Sequence, residues 1–304
     1  MLFSMSMDLS IITVPYKDKD KLRVTLDALF VSKTSYSYEV VIVDNDSGDG
    51  TIEMLEQEYL YNSSLSAKIT LIKNTNEGFS KGNNRGIKIA KGQYVLLLNP
   101  DTKVAPETLQ VMMDFMKQHS EVGIATCKLV RASGELDWAA RRSFPDPTTA
   151  FYRLSGLSKL FPKSKKFASY NLTYKSVDEE TEIDVCVGAF MLISPACLAA
   201  IKGFDEDFYM YGEDIDLCYR AKQAGFKIWY YPRTTTIHYK GQSSRKAPTR
   251  SLYAFHDAMW IFYKKHLAKK YNPLFNALVY LGIWLRYYQK LFFNFFRKEK
   301  FVSK

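Results

Sequence analysis

The fold is decided by a buried strand that runs directly into a polar loop. The chain reads Tyr38-Glu-Val-Val-Ile-Val43 and continues as Asp44-Asn-Asp-Ser-Gly-Asp-Gly50. A short apolar run rich in β-branched residues predicts a buried strand, and the cluster of short polar residues and glycines predicts the turn that ends it. We therefore expect a carboxylate at the end of a core strand.

The same pattern of strand and loop repeats around this segment. Three further strands are predicted at 9–14, 68–72 and 93–98. Four helices are predicted between and after the strands, at 17–32, 51–61, 82–90 and 106–117. This alternation up to about residue 125 indicates βαβ units and a largely parallel sheet. Ligands of such α/β sheets bind at the carboxyl ends of the strands.

The second half of the chain has a mixed pattern. Strands are predicted at 122–130, 183–193 and 227–231, and Pro232 is expected to end the last of them. The basic stretch between the first two is predicted to be a mobile loop. The sequence contains no Gly-x-Gly-x-x-Gly motif and no P-loop, which disfavours a dehydrogenase and a P-loop NTPase.

The charge of the chain is concentrated in two segments. Of 304 residues, 47% are hydrophobic, which supports a folded core, and the net charge is +10. Arg153 to Lys175 holds six basic residues and no acid, and Arg286 to Lys304 holds six basic residues and one acid. No nucleic-acid-binding module is visible, so we predict no nucleic-acid partner. A membrane surface or a phosphorylated substrate fits better, with a solvated loop and an ordinary basic tail as alternatives.

Two features bear on the compartment. The four cysteines, at 127, 186, 197 and 218, have no paired metal-ligand spacing and are predicted to be buried, reduced thiols of a cytoplasmic protein. The first residues, Met1 to Asp8, have neither a basic start nor a long apolar run before the first strand, so no signal peptide is predicted.

The C-terminal tail is crowded with large apolar side chains. The apolar stretch before Arg286 is too short for a transmembrane helix, which needs ~20 residues. Arg286, Lys290, Asn294 and Arg297 recur at helical spacing and leave a wide apolar face. This pattern favours a helix that lies in a membrane interface. Packing on the catalytic domain, or on a second copy in a homodimer, explains it as well.

Three loops carry candidate ligand-binding residues. Asp44, with Asn45 and Ser47, can accept or donate hydrogen bonds to a base or ribose. The run from Asn76 to Gly86 is rich in Asn and Gly, which allow close backbone approach before a helix that attracts anions. The third loop, Asn99-Pro-Asp101, ends a buried strand on an acid suited to Mg²⁺ or Mn²⁺. For Asp44 alone, turn chemistry is the better explanation, and for Asp101 an N-cap or turn role is the alternative. The density of Asn and Gly favours ligand binding over a structural turn in the second loop.

Five motifs together, in this order, resemble those of the GT-A fold family 2 glycosyltransferases, within their rhamnosyltransferase-like branch. The motifs are Ile42-Val-Asp-Asn-Asp-Ser-Gly-Asp-Gly-Thr51, Asn76-Glu-Gly-Phe-Ser-Lys-Gly-Asn-Asn-Arg-Gly86, Leu98-Asn-Pro-Asp-Thr102, Gly188-Ala-Phe190 and Tyr211-Gly-Glu-Asp-Ile-Asp216. The resemblance covers about residues 8–245. It implies a Rossmann-like, mostly parallel mixed sheet flanked by helices, and it implies a nucleotide-sugar donor.

The resemblance also assigns roles to residues of this chain. Asp214 would be the general base, with Glu213 orienting the acceptor. Asp101 would be the last acid of the family's metal motif, and His238, which follows Asp214 by 24 residues, would be its partner on the ion. Donor-binding residues would be Thr13, Pro15, Asp44, Asn45, Ser47, Asn76, Gly78, Phe79, Gly82, Asn83, Asn99 and Asp101. Acceptor-binding residues would be Gly188, Ala189 and Phe190, for which a packed strand interior is an equal alternative. Apart from the resemblance, Trp138 and Arg141 precede the basic loop and are candidates to stack on an acceptor sugar and contact phosphate, with surface packing an equal alternative.

The chain departs from the family pattern at two places. Asn99 stands where the metal motif has its first acid, which leaves fewer anionic ligands and makes His238 the expected compensation. Thr13-Val-Pro-Tyr-Lys17 stands where the family more often has Tyr-Asn, so polar contacts of Pro15 with the donor are in doubt.

The sequence therefore predicts an inverting glycosyltransferase that uses Mg²⁺ or Mn²⁺. We expect L-rhamnose to move from dTDP-rhamnose to a lipid-linked cell-surface polysaccharide precursor. Galactofuranose, glucose and N-acetylglucosamine donors stay open, as does a non-catalytic sugar-nucleotide-binding or membrane scaffold module. The catalytic domain is predicted at 1–250, with a nucleotide-sugar-binding half at about 8–125 and an acceptor half at about 126–250. Residues 251–304 would form amphipathic helices that place the protein, peripherally, at the inner face of the cell membrane.

Overall fold

The computed structural model describes residues 7–61, 65, 68–239 and 248–296. Within these residues the chain forms one mixed sheet of nine strands with helices packed against it. The predicted α/β class is confirmed. All four cysteines are buried and free, as predicted.

The first half alternates strands and helices. Its elements are β1 (Leu9–Thr13), α1 (Lys19–Phe30), β2 (Tyr38–Asn45), α2 (Thr51–Leu55) extended by a π-helical turn (Glu56–Leu60), β3 (Ile69–Asn74), α3 (Phe79–Ile89), β4 (Tyr94–Leu98), β5 (Thr102–Val104), α4 (Thr108–Gln118) and β6 (Val122–Val130).

The second half is less regular. Its elements are a 3₁₀ turn (Trp138–Ala140), α5 (Pro147–Leu154), α6 (Leu157–Leu160), β7 (Thr181–Ile183), β8 (Phe190–Ile193), α7 (Pro195–Ile201), α8 (Glu213–Gln223), β9 (Lys227–His238), α9 (Pro248–Phe262), a π-helical turn (Tyr263–Leu267), a 3₁₀ turn (Ala268–Lys270) and α10 (Pro273–Phe295).

The order of the strands places the candidate loops together. The sheet runs β3-β2-β1-β4-β8-β6-β9-β5, and β7 pairs with β9 beside this path. Strands β3, β2, β1 and β4 are parallel, β8 is antiparallel to both β4 and β6, and β9 runs parallel to β6. The chain order reverses at β1 and β4, and the loops that follow β1, β2 and β4 meet at that edge. This is the point at which open α/β sheets bind ligands.

Two glycines set the distance between α3 and the sheet. A Cβ atom on Gly82 would lie 2.7 Å from Cγ1 of Val14, and one on Gly86 would lie 2.5 Å from Cγ2 of Ile12. Both separations are too short for carbon atoms, so larger side chains would push the helix outwards. The amino end of α3 is held close to the strand ends for this reason.

Three predicted boundaries in the second half are wrong. The strand expected at 183–193 is two strands, β7 and β8, with the segment 184–189 between them. Strand β9 continues through Pro232, because its pairing with β6 shifts register after Tyr230 and a proline is tolerated at such a bulge. The basic stretch predicted as a loop includes the end of α5 and all of α6.

The C-terminal helices pack on the sheet domain and on each other. Phe208, Ala258 and Phe262 share a small buried cluster that joins α9 to the loop before α8. The rings of Trp260 and Tyr280 lie 4.9 Å apart and join α9 to α10. Among the helices of the described residues, none has the length and apolarity needed to cross a membrane. The division at residue 250 stays a prediction, and Arg297 of the predicted polar stripe lies outside the described residues.

Candidate active site

Asp44 lies at the carboxyl end of β2 and is almost fully buried, with 1% of its surface exposed. Its Oδ2 accepts a hydrogen bond from the backbone N–H of Ser47 at 3.2 Å. Its Oδ1 is buried and accepts no hydrogen bond from the described part of the chain. Burial raises the pKa of this carboxyl, and the hydrogen bonds from Ser47 partly oppose that shift. A buried acceptor without a donor suits a ligand that brings its own N–H or O–H.

The loop after β1 closes this pocket from the other side. The carbonyl of Pro15 accepts a hydrogen bond from the backbone N–H of Asn45 at 2.9 Å. Ser47 is fully buried, and its Oγ accepts one from the N–H of Lys17 at 3.1 Å. Thr13 is also buried, and its hydroxyl has no hydrogen-bond partner within the described ranges. These contacts fix the backbone of the pocket and leave the Thr13 hydroxyl for a ligand.

A network of asparagines joins β2 to the loop before α3. The side-chain amide of Asn45 donates to Oδ1 of Asn76 and to the carbonyl of Gly78, each at 3.2 Å. Gly78 has a φ of 107°, and a Cβ there would lie 2.5 Å from the carbonyl oxygen of Tyr209. The same carbonyl accepts a hydrogen bond from the N–H of Phe79 at 2.8 Å. The Asn/Gly loop is therefore locked against the segment that precedes the base.

The other predicted donor residues of α3 and β4 reach the same edge. Asn83 is buried, and its side-chain amide donates to the carbonyl of Phe79 at 2.9 Å, within α3. The backbone N–H of Asn99 donates to the carbonyl of Ala189 at 3.2 Å. Oδ1 of Asn99 is buried and unpaired among the described residues, so it is a second acceptor open to a ligand. A Cβ on Gly188 would lie 3.6 Å from the ring of Phe79, which places these loops in contact.

Asp101 and His238 lie in direct contact, and their joint binding of an ion stays a prediction. Nε2 of His238 lies 3.3 Å from Oδ1 of Asp101, and its Nδ1 lies 2.9 Å from Oδ2 of Asp137. Burial opposes the charged imidazolium, but the two carboxylates outweigh it and raise the pKa of His238 to about 9. Burial likewise opposes ionisation of Asp101, and the hydrogen bond and charge of His238 reverse this, so the pKa of Asp101 is lowered.

Lys21 of α1 also reaches this acid. Its Nζ lies 3.9 Å from Oδ2 of Asp101 and 3.8 Å from Oδ1 of Asp18. The ammonium is buried and has no hydrogen bond within the described residues, so these ion pairs are its contacts. Lys21 places a positive charge beside the end of β4.

The residues present fit a divalent ion only as part of a ligand set. Asp101 offers the hard oxygen donors that Mg²⁺ and Mn²⁺ prefer, and His238 would offer an imidazole nitrogen only after losing the proton that its raised pKa retains. Within residues 7–61, 65, 68–239 and 248–296, no group of three or more His, Cys, Asp or Glu side chains could hold a metal ion. The remaining ligands would have to come from a substrate or water.

The predicted base lies at the start of α8, paired with an arginine. Oδ2 of Asp214 is 2.5 Å from Nη2 of Arg142, and the two side chains are 10% and 12% exposed. Burial opposes the charge on Arg142, but Asp214 and the hydroxyl of Tyr170 outweigh it and raise the pKa of the guanidinium. Arg142 also donates to the carbonyls of Ala139 and Cys186, so it holds Asp214 in a fixed orientation.

Glu213 is buried beside this pair, and its Oε2 has no partner in the described structure. Burial, and then the charge of Asp214, raise the pKa of Glu213 to about 8. A carboxyl with this pKa is mostly protonated at neutral pH and can donate a hydrogen bond.

Asp216 faces away from this pair. It is fully buried, with Oδ2 at 2.7 Å from Nε of Arg220 and Oδ1 at 2.7 Å from Nε2 of His266. It joins α8 to the π-helical turn after α9 and has a structural role.

The predicted acceptor residues divide into exposed and buried groups. Trp138 is 37% exposed, so it can contact a ligand. Gly188 and Ala189 lie in the segment between the strands, and Phe190 is buried in β8, where its carbonyl accepts a hydrogen bond from Thr126 at 2.8 Å.

The position of Arg141 does not fit its predicted contact with the acceptor. It is fully buried, and its guanidinium donates to the carbonyls of Lys175 and Ser176, so it is not available to an acceptor phosphate. The backbone at Arg141 is extended, and successive side chains of an extended chain point to opposite sides. The next residue, Arg142, is the one that faces Asp214.

Sequence reasoning missed four residues: Arg142, Asp137, Lys21 and Tyr209. The hydroxyl of Tyr209 donates to Asn76 at 3.0 Å and supports the Asn/Gly loop. Only Arg142 had a local signal in the sequence, because it follows Arg141, which was predicted. The others act through contacts with distant parts of the chain, which no local pattern reveals.

Solved structures confirm the GT-A fold. Staphylococcus aureus TarS (residues 1–349) matches with a TM-score of 0.57 and 17% identity, over 93% of this chain and 72% of that one. The same protein in complex with UDP-GlcNAc matches with a TM-score of 0.54 and 18% identity, over 93% and 73%. GalNAc-T7 with UDP, GalNAc and Mn²⁺ matches with a TM-score of 0.56 and 15% identity, over 77% and 44%. At these identities the likeness is one of fold.

Curated relatives and a family model show the family. Rhamnosyltransferase WbbL of Escherichia coli (strain K12) is 26% identical over 246 residues, 77% of this chain and 84% of that protein. N-acetylglucosaminyl-diphospho-decaprenol L-rhamnosyltransferase of Mycobacterium tuberculosis (strain CDC 1551 / Oshkosh) is 24% identical over 266 residues, 84% and 83% respectively. The resemblance seen in the sequence is confirmed. Because the model of the glycosyltransferase-like family 2 matches residues 8–253, the chain belongs to that family.

Proposed function

We propose that this family 2 glycosyltransferase transfers L-rhamnose from dTDP-rhamnose, with inversion, to a lipid-linked precursor of a cell-surface polysaccharide. One observation carries the proposal. The carbonyl of Cys186 accepts a hydrogen bond from Arg142, which holds Asp214, and the carbonyl of Ala189 accepts one from Asn99. Cys186 and Ala189 are three residues apart in the chain, so their backbones are separated by about 10 Å at most. The base and the acidic end of β4 therefore border one site.

The donor pocket supports a nucleotide sugar. Asp44, Thr13 and Asn99 each offer a buried polar atom without a partner within the described residues. Helix α3 begins at the same edge, where the positive end of its dipole would favour a diphosphate. The choice of rhamnose rests on the two relatives named rhamnosyltransferases. Because the structural neighbour TarS is solved in complex with UDP-GlcNAc, other donors are included in the test.

The chain's own residues can perform a single displacement. Asp214 would accept the proton of the acceptor hydroxyl as it attacks, held in place by Arg142. Glu213, mostly protonated near neutral pH, would donate a hydrogen bond that orients the acceptor. Asp101 and His238 would hold Mg²⁺ or Mn²⁺, whose chemistry when bound is to neutralise charge on the leaving diphosphate. One base without a covalent nucleophile gives inversion.

A lipid-linked acceptor fits the exposed apolar side chains of α10. Leu278, Leu285 and Phe292 are each more than half exposed, although they are large and apolar. We propose that α10 lies in a membrane interface at the inner face of the cell membrane, where a lipid-linked saccharide would be presented.

A donor panel tests the function. The full-length protein is incubated with dTDP-rhamnose, UDP-galactofuranose, UDP-glucose or UDP-GlcNAc, with Mg²⁺ or Mn²⁺ and a lipid-linked saccharide, and nucleoside diphosphate release is measured. We expect release from dTDP-rhamnose that requires the acceptor and falls ~10²–10⁴-fold in Asp214→Asn. Release from another donor would refute rhamnose, and unchanged release by the variant would remove Asp214 as the base.

A further inference from the structure

We propose that α5, α6 and the basic segment after them form, together with α10, one surface that docks on an anionic lipid bilayer. We call it the bilayer surface and define it as residues 147–166 and 273–295. It adds a second contact to the proposed membrane helix. Only its functional meaning rests on the proposed lipid-linked acceptor.

Helices α5 and α6 expose their large apolar side chains instead of burying them. No residue of either helix is buried. Phe151, Leu154, Leu160 and Phe161 are between 46% and 69% exposed. Four large apolar side chains within eleven residues form an exposed patch, which in a folded protein marks an interaction site.

The charge around this patch selects the partner. No acidic residue lies between Pro147 and Lys175. Five exposed basic residues surround the apolar side chains: Arg153, Lys159, Lys163, Lys165 and Lys166. Basic side chains bind anionic headgroups while Leu and Phe enter the acyl boundary, so an anionic bilayer satisfies both features at once. A symmetric contact between two copies through this patch would place five positive charges opposite five others, and these like charges would repel.

The patch begins and ends beside the base. The backbone N–H of Ser143 donates to the carbonyl of Tyr170 at 2.9 Å, which closes the excursion of residues 144–169 at its root. The hydroxyl of Tyr170 contacts Arg142, the partner of Asp214. A bilayer bound to this excursion would lie next to the acceptor side of the site.

Helix α10 continues the same surface. Phe144 packs edge-on against Tyr219 at 5.0 Å, and Tyr219 packs against Phe262 of α9 at 5.6 Å, so the root of the excursion adjoins the helix that carries α10.

The apolar side chains of α10 form a single stripe. They recur at intervals of four and three residues, the spacing that puts side chains on one helix face. Every member of the stripe is between 58% and 74% exposed, and the stripe comprises Leu274, Leu278, Leu281, Leu285, Tyr288 and Phe292. An exposed stripe of this length beside a basic patch matches a helix lying at the headgroup level.

The test is flotation of the full-length protein with vesicles of phosphatidylcholine, with and without phosphatidylglycerol. We expect binding that requires the anionic lipid. Replacing Lys163, Lys165 and Lys166 by Gln should lower the partition coefficient about 100-fold, because each basic residue near an anionic surface contributes about fivefold. Leu160→Ser with Phe161→Ser should also release the protein.

A matched control replaces three exposed lysines elsewhere: Lys33→Gln, Lys88→Gln and Lys103→Gln. It removes the same charge and should bind within about threefold of the parent, since charges distant from the membrane are screened. Equal losses in the two triple variants, or no flotation at all, would overturn the bilayer surface. So would a loss confined to α10 variants such as Leu281→Ser, or a stable dimer abolished by Leu281→Ser. Flotation uses no substrate, so its failure is distinct from failure of the proposed transferase activity.

Discussion

The pair of Arg142 and Asp214 should be one of the strongest side-chain couplings in the molecule. Both side chains are nearly buried, and their N···O distance is 2.5 Å. Arg142→Met keeps the length of the side chain but leaves a buried carboxylate without its cation. Breaking a buried ion pair on one side costs ~3–5 kcal/mol of unfolding free energy. Asp214→Asn should cost less, because the amide still accepts a hydrogen bond from Arg142.

A double-mutant cycle measures this coupling without any substrate. Unfolding free energies are obtained from urea titrations of the parent, Arg142→Met, Asp214→Asn and the double variant. The double variant should be more stable than the sum of the single losses predicts, with a coupling of ~1–3 kcal/mol. Arg153→Met, at an exposed position, is the control and should change stability by less than ~0.5 kcal/mol. Additive losses, within ~0.5 kcal/mol, would show that Arg142 does not hold the base.

Three further predictions follow from the same structure. In the metal-free protein, the pKa of His238 is raised to about 9, so its protonated form stabilises the folded state fully below pH ~6.5, and this stabilisation is lost as pH rises through about 9. His238→Gln should therefore remove this pH-dependent loss of ~3 kcal/mol, measured in urea titrations with EDTA. Burial raises the pKa of Glu213 to about 8, so the free energy of unfolding falls as pH rises from ~4.5 to 8. Glu213→Gln should therefore be more stable than the parent at pH 8 in urea titrations. A steeper fall of unfolding free energy with pH in the variant would count against this. Gly78→Ala, which puts a Cβ 2.5 Å from the carbonyl of Tyr209, should lower the melting temperature more than Gly48→Ala, where φ is also positive but no atom lies within 4 Å; equal shifts would contradict the packing argument.

Local sequence patterns were sufficient for the first half of the fold. The strand at 38–43, the polar loop at 44–50 and the alternation that follows are encoded by neighbours in sequence, so composition and spacing predicted them. The composition of segment 183–193 predicts one strand, because only Asp184 and Gly188 interrupt its apolar residues. Its interior instead leaves the sheet at 184–189 to contact Arg142 and Asn99, and a run of apolar residues cannot show that choice.

Charged residues that act in pairs were harder to predict. Arg142 lies 72 residues from Asp214, and Asp137 lies 101 residues from His238, so each pair exists only after folding. The choice between Arg141 and Arg142 depends on which side of an extended segment is buried. Tyr230 and the carbonyls at 175–176 bury the first and leave the second for the base.

The replacement of an acid by Asn99 has a consequence for how ion and donor bind. Asp101 faces His238 at 3.3 Å and Lys21 at 3.9 Å, and both side chains compete with a cation for its charge. One carboxylate and one imidazole are too few ligands to retain a divalent ion alone, and no group of three or more His, Cys, Asp or Glu among the described residues could hold one. A diphosphate would supply both the missing oxygens and the missing negative charge. Ion and donor are therefore expected to bind together, each raising the affinity of the other by the same factor.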